Sequence, residues 1–192
     1  GSGTGIISSM LSKHFKKVYG VDINDYRLIK RGYIFKELKD EILPFKNNFF
    51  DVVISNQVIE HVNDQEKHLE EIDRVLKKDG ICYLATPNKY WPIEPHYHLP
   101  FLSILPKKLS KIYMRIFYDQ DYDVNLLSHK ELIEISKKYF GINDVTKKII
   151  DDSQRYHLEK KFKIIPISFL RLIPKGLLDY IVPSFIFILK KR

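Results

Sequence analysis

The sequence predicts an α/β protein: a Rossmann-like, mostly parallel, doubly wound sheet with helices on both faces and an inserted aromatic, proline-rich cap. Three observations carry this. Over residues 1–88, segments with helical spacing of apolar residues alternate with short β-branched runs, the pattern of parallel strands joined by crossover helices. The chain opens on "GSGTG", and the next strand ends on Asp22. From residue 89 the alternation gives way to a stretch rich in proline and aromatic residues, after which a helix and strands resume.

The elements follow in order. Ile7, Met10, Leu11 and Phe15 recur at helical spacing, so the glycines lead into a helix. Val18–Ile23 is a short apolar strand. "DYRLIKRG" predicts a short helix closed by Gly32, and "YIFKEL" a strand. "LPFKNNFF" is a turn-rich connection, and "FDVVISN" a buried strand by its β-branched run. "NDQEKHLEEIDRVLKKDG" predicts a helix capped by Asn63, with Glu66 at the capping-box position and Gly80 as its stop. Leu69, Ile72, Val75 and Leu76 form its apolar stripe. "ICYLATPN" is a strand. Residues 89–127 show little periodicity and read as a cap. "SHKELIEISKKYFG" is a helix with Ser128 and Glu131 as capping box and Gly141 as stop. "INDVTKKII" and "SFIFILKKR" are the last candidate strands. One domain covers 1–192: a ligand-binding half to residue 88, the cap over 89–127, and a C-terminal part over 128–192.

Composition narrows the function. The 192 residues include 12 Phe and 12 Tyr, which argues against disorder. Cys82 is the sole cysteine, so no internal disulfide forms, and its apolar setting makes it a buried strand residue. No uncharged apolar run reaches the ~18 residues of a membrane span. The expected location is the cytoplasm. The net charge of +8 comes entirely from residues 89–192, where 19 Lys/Arg face 11 Asp/Glu. Such a half suits an anionic substrate, a membrane surface or a solvated face. Residues 162–192 interleave Phe, Ile and Leu with Lys and Arg, which fits a buried helix and final strand or a peripheral membrane contact. No nucleic-acid-binding motif is present.

"GSGTG" alone fits a linker or half of a ligand loop. It is not a Walker A loop, which needs Gly-Lys-Ser/Thr. The dinucleotide fingerprint wants a glycine where Ile6 stands. Gly-x-Gly-x-Gly instead makes a tight turn that a ligand approaches closely, ahead of a helix. Asp22, seventeen residues after Gly5, can accept both hydroxyls of a ribose.

"GSGTG", "LPFKNNFFDVVISNQVIEHV" and "HLEEIDRVLKKDGICYLATPN" together resemble a class I S-adenosylmethionine-dependent methyltransferase, in particular the small-molecule group that methylates quinones, sugars and lipids. The resemblance covers about residues 1–88. It implies S-adenosyl-L-methionine as cofactor. Gly1, Gly3 and Gly5 would line the loop under methionine and ribose, Asp22 would bind the ribose hydroxyls, and Ile23 would pack on adenine. Asp40 would accept from the adenine amino group, with Lys39 as the competing register. Asn56 and Gln57 would border the methionine and the reactive methyl. The family also carries a strand and an acidic residue ahead of the glycines; on that comparison the chain is truncated and binds cofactor weakly as it stands.

His61, in "IEHV", lies where the family often has a histidine and is the candidate base for a hydroxyl acceptor. Glu60 could join a metal or cap a helix and is assigned neither role. In "NKYWPIEPHYHLPFL", Tyr90, Trp91 and Tyr97 can stack on a ring, and Glu94, His96 and His98 can bind hydroxyls or supply a second base. The two histidines suit a metal only in an extended segment and lack a third ligand, so no metal is expected. The implied activity is methyl transfer to a small-molecule or lipid-linked acceptor, foremost a hydroxyl of a sugar in a surface-glycan precursor. Quinone or lipid methylation is the alternative. A nicotinamide-dependent sugar oxidoreductase or epimerase, opposed by Ile6, and a non-enzymatic binder of anionic ligands are the readings from other classes. Oligomeric state is not encoded in any pattern found.

Overall fold

A computed structural model describes residues 1–158 and 166–192; the part of the 162–192 reading that falls on 162–165 lies outside the described residues. The elements are α1 (Ile6–Leu11), β1 (Tyr19–Asp22), β2 (Ile34–Glu37), β3 (Phe50–Asn56), α2 (Gln65–Val75), β4 (Leu76–Pro87), a 3-10 turn at Leu102–Ile104, α3 (Lys107–Tyr118), α4 (His129–Ser136), β5 (Phe140–Asp144), α5 (Thr146–Asp151), α6 (Ile167–Leu172), α7 (Lys175–Ile181) and β6 (Ser184–Lys191).

The strands form two pieces. β1 and β2 pair in parallel, and a second sheet has the order β3-β4-β6-β5. β3 and β4 are parallel, while β6 runs antiparallel to both β4 and β5. The Rossmann-like α/β class is thus as predicted, and the C-terminal strand turns the sheet mixed. A cavity of about 260 Å³ separates β1 from β3, walled by Val18–Val21 on one side and Val52–Asn56 on the other. At one end the gap is bridged by aromatic rings, with Tyr19 of β1 edge-on to Phe50 of β3 at 5.7 Å. Arg74 fixes the connection beneath them, donating to Leu43 O and Phe45 O while paired with Glu71.

The core follows from strand alternation. Phe185, Phe187 and Leu189 place every second residue of β6 in the interior, against Leu69 and Ile72 of α2 and Phe140 of β5. Cys82 sits in this core, where burial pushes its thiol up to about 12 and makes it inert.

Several sequence expectations are corrected. No helix forms over 25–32. The Leu28 and Ile29 N–H groups donate instead to Thr4 O, and Asp25 takes both the Arg27 N–H and its guanidinium. The α2 cap is Asp64, which accepts from Lys67 N–H; Asn63 is engaged by Glu41. α2 ends at Val75, not Gly80, because buried Leu76 turns extended and pairs with Phe50 of β3. The cap contains a twelve-residue helix, α3, that the sequence reading missed. Gly141 lies inside β5, and the segment read as a strand over 142–150 divides into the end of β5 and α5. The Ser128/Glu131 capping box forms as expected.

Asp144, at the end of β5, ties the C-terminal elements together. It accepts from His129 Nε2 at 3.0 Å and Thr146 N–H at 3.0 Å, and pairs with Lys175 at 3.2 Å. Burial alone would raise this carboxyl, but those donors outweigh it and hold it well below the usual range. Asp144→Ala should therefore cost about 1–3 kcal/mol at neutral pH, because it removes the acceptor of His129 Nε2 and Thr146 N–H, while His129 keeps Asp179 and exposed Lys175 keeps water. The folded carboxyl titrates lower than the unfolded one, so its contribution is complete at neutral pH and fades below about pH 4. Urea unfolding of both proteins from pH 7 to pH 3 checks this: the gap between them should narrow with acid.

Candidate cofactor and acceptor site

The glycine loop is closed by β1. Gly1 and Ser2 both donate to Val21 O at 2.8 Å, and Gly5 N–H donates to Ser2 O. Gly3 and Gly5 have φ of 50° and 79°, the left-handed region that favours glycine. A side chain at Gly5 would strike Tyr33 Oη and Ile29 O, whereas nothing lies within 4 Å of a Cβ at Gly3. One glycine is required by the fold. The other keeps open space on the loop.

Asp22 is the anchor. Its Oδ2 accepts from Gly3 N–H at 2.7 Å and its Oδ1 from Ile23 N–H at 2.8 Å, and the residue is 9% exposed. Each oxygen keeps a lone pair for a further donor, the requirement for binding vicinal hydroxyls. Ile23, next in line, is 61% exposed, a free apolar face beside the carboxylate. Leu38 N–H donates to Asp22 O, which brings the end of β2 to the same edge. Asp40 follows, exposed, with its Oδ1 accepting from Ile42 N–H. Asn56 ends β3 opposite Ala85, and Gln57 takes a left-handed turn at φ 56° with its N–H on Ala85 O. These residues fit an adenosine-containing cofactor: open space over Gly3, two carboxylate lone pairs, and an exposed apolar surface.

Beyond β3 the chain turns at Val58–His61 into a polar cluster. Glu60 is fully buried; its Oε2 accepts from Thr86 Oγ1 at 2.9 Å, and burial raises its pKa. His61 and His96 meet edge to face with ring centroids 4.8 Å apart. Glu94, also fully buried, accepts His96 N–H and Tyr97 N–H on Oε2, and its Oε1 lies 2.7 Å from His96 Nδ1. That pairing raises the pKa of His96. Tyr97 Oη donates to Asp123, and Tyr118 Oη to Tyr97 O, so α3 and its following loop close over this corner.

Of the sequence candidates, His61, Glu94 and His96 come together, with Tyr97 alongside. His98 is exposed, in a left-handed conformation, and outside the cluster. Trp91 is 9% exposed and packs as core, so its ring is not offered to a ligand. Tyr90 stacks on Tyr180 at 5.5 Å, which fixes it to α7. The Glu94-centred turn folds this segment so that these three side chains lie outside the His61–His96 cluster. Glu60 and Thr86 were missed. The sequence signal for Glu60 was its place beside His61, immediately past a buried strand.

A glycine loop, an acidic strand end and a polar cluster along one strand edge define a Rossmann-like domain built for a nucleoside cofactor. Residues 1–84 match the family described as "Methyltransferase domain". The chain is 26% identical over 179 residues to a ubiquinone biosynthesis O-methyltransferase of Pelagibacter ubique, covering 85% of this chain and 67% of that protein. It is 31% identical over 117 residues to a ubiquinone/menaquinone biosynthesis C-methyltransferase of Paraburkholderia phymatum, covering 54% and 48%. Among solved structures, an S-adenosylmethionine-dependent methyltransferase from Mesorhizobium loti matches with TM-score 0.63 at 13% identity, covering all of this chain and 88% of that one. Residues 1–84 thus match the methyltransferase-domain family, and the chain as a whole shares the fold of S-adenosylmethionine-dependent methyltransferases. It spans between a quarter and two thirds of the length of the first curated relatives it matches.

Proposed function

We propose that the protein transfers a methyl group from S-adenosylmethionine to a hydroxyl of a small acceptor. The observation that carries this is Asp22, buried, clamped by the loop it serves and still holding a lone pair on each oxygen. When bound, the cofactor supplies an electrophilic methyl on a sulfonium. The protein's part is alignment and proton removal. Gly3 leaves the ligand room, Asp22 fixes the ribose end, and Asn56 and Gln57 border the methionine end.

The acceptor side is the corner formed by His61, His96 and Tyr97. His61 is exposed and in position to take a hydroxyl proton. His61→Asn is expected to lower kcat about 100-fold with little change in cofactor affinity, as measured by steady-state kinetics beside calorimetry. The ubiquinone biosynthesis O-methyltransferase among the relatives favours an oxygen acceptor of a quinone precursor. The sugar hydroxyl remains the second reading, supported by the carboxylate and imidazole groups of the corner. A lipid-linked acceptor is supported by α3, where exposed Leu109, Ile112 and Ile116 adjoin Lys108 and Lys111. Among the described residues no helix is long and apolar enough to cross a membrane.

The test is transfer of label from methyl-labelled donor to polyprenylated hydroxybenzoates, free sugars and lipid-linked glycans. Label in an ether of any of these supports the reading. Cofactor binding with label found only on carbon or nitrogen would overturn it.

A further inference from the structure

Glu60 Oε1 is buried and has no hydrogen-bond partner among the described residues, although Oε2 of the same carboxylate is paired with Thr86. A buried acceptor left unpaired is costly, by about 1–3 kcal/mol and more when charged. The backbone gives it no freedom to leave: Asn125 N–H donates to Glu60 O, and Gln65 Nε2 bridges Ile59 O and Asn125 O. One ligand atom each from Glu60, His61 and His96 lies within 4.8 Å of the other two. Glu60, with one oxygen unpaired, therefore belongs to a group of a carboxylate and two imidazoles.

The state of His96 is set from behind. Its Nδ1 faces Glu94 Oε1 at 2.7 Å, and Glu94 is fully buried with its other oxygen held by two backbone N–H groups. A carboxylate there holds the proton on Nδ1 and leaves Nε2 as the lone-pair nitrogen, the second-shell arrangement of metal-bound histidines. Two imidazoles and one carboxylate suit borderline divalent ions such as Zn²⁺, Co²⁺ and Fe²⁺, and three protein ligands leave a coordination position free. The sequence pairs His96 with His98 and finds no third ligand; the fold brings His96 to His61 and Glu60 instead.

A second grouping, His129, Asp144 and Asp179, has similar composition. There Asp144 already receives His129, Thr146 N–H and the Lys175 ammonium. A cation already neutralises that site, whereas Glu60 has only a hydroxyl.

We propose that Glu60, His61 and His96 form a divalent transition-metal site, with Glu94 as the positioning residue for His96. Binding of the ion does not rest on the methyl-transfer reading. Only its use does: an ion held partly by His61 would take over that imidazole's part as base, binding an acceptor oxygen and lowering the pKa of its hydroxyl.

The test is titration of the chelator-treated protein with Co²⁺, followed by visible absorption, and with Zn²⁺ by calorimetry. One ion per chain is expected. Glu60→Gln keeps the side-chain shape and an acceptor for Thr86. It should weaken binding beyond the ~10–100-fold loss expected of Glu94→Gln. His61→Gln provides the same test from the other side of the site, and circular dichroism verifies that each variant is folded. His129→Gln should leave binding unchanged. Absence of stoichiometric binding, or binding that survives both Glu60→Gln and His61→Gln in folded protein, or binding lost with His129→Gln alone, would overturn the proposal.

Discussion

Asp22→Ala is expected to weaken S-adenosylmethionine binding by at least about 100-fold while leaving the protein folded. Hydrogen bonds to a charged acceptor are worth about 1.5–3 kcal/mol each, and two ribose hydroxyls meet this carboxylate. With about 1.4 kcal/mol per tenfold in affinity, even the low end of that range reaches the stated loss. The variant also frees Gly3 N–H and Ile23 N–H, which the carboxylate now holds at 2.7 and 2.8 Å, so the loop loses its clamp together with its ligand contact. Asp22→Asn should fall between: it keeps one oxygen, but its amide must turn toward one of two donors that need an acceptor. Calorimetry of the three proteins, with circular dichroism as the folding control, checks the order. Affinity unchanged in Asp22→Ala would contradict the assignment of this edge.

The two inner glycines should separate folding from binding. At Gly5 an alanine meets Tyr33 Oη and Ile29 O well inside contact distance and must also hold φ near 79°. Left-handed backbone costs about 1–2 kcal/mol for a residue with a Cβ, and forcing extra atoms into a packed site about 1–3 more. Gly5→Ala should thus lose about 3 kcal/mol, or about 6–12 °C in Tm for a domain of this size. Tyr33→Phe would not rescue it, because Ile29 O, a backbone atom that cannot swing away, still lies inside contact distance. At Gly3 the Cβ meets nothing, so Gly3→Ala should cost only the backbone term. It should nevertheless weaken cofactor binding, since the space it fills is the ligand's. Thermal melts with and without S-adenosylmethionine distinguish the two. Equal loss of stability in both variants would mean that the open space over Gly3 has no ligand to serve.

How far the sequence led depends on where the deciding contacts lie. The Ser128/Glu131 box and the β-branched strand at 50–56 are local, and both were legible, although the strand expected to be buried is half-exposed along the cavity with only Ser55 buried. Asp22 was legible because its partner glycines are fixed in spacing on the same βα unit. The helix expected over 25–32 failed for a tertiary reason: Thr4 O takes the N–H groups of Leu28 and Ile29, so the glycine loop claims the backbone that a helix needs. The α2 helix stopped four residues before its glycine because Leu76 is claimed by β3. In the acceptor corner the residue types were visible but their partners were not. Glu94 folds back on His96 two residues away, and His98, equally near in sequence, is turned out by its left-handed backbone. The orphan oxygen of Glu60 depends on Thr86 and Asn125, far along the chain. No pattern of spacing reports it.

The central claim is that this edge of the sheet holds S-adenosylmethionine. Its most direct measurement is a calorimetric titration of the protein with S-adenosylmethionine, S-adenosylhomocysteine and NAD under one set of conditions. The account predicts saturable one-to-one binding of the first two in competition with each other, and no heat from NAD. Saturable binding of NAD, with no response to either sulfur compound, would contradict it.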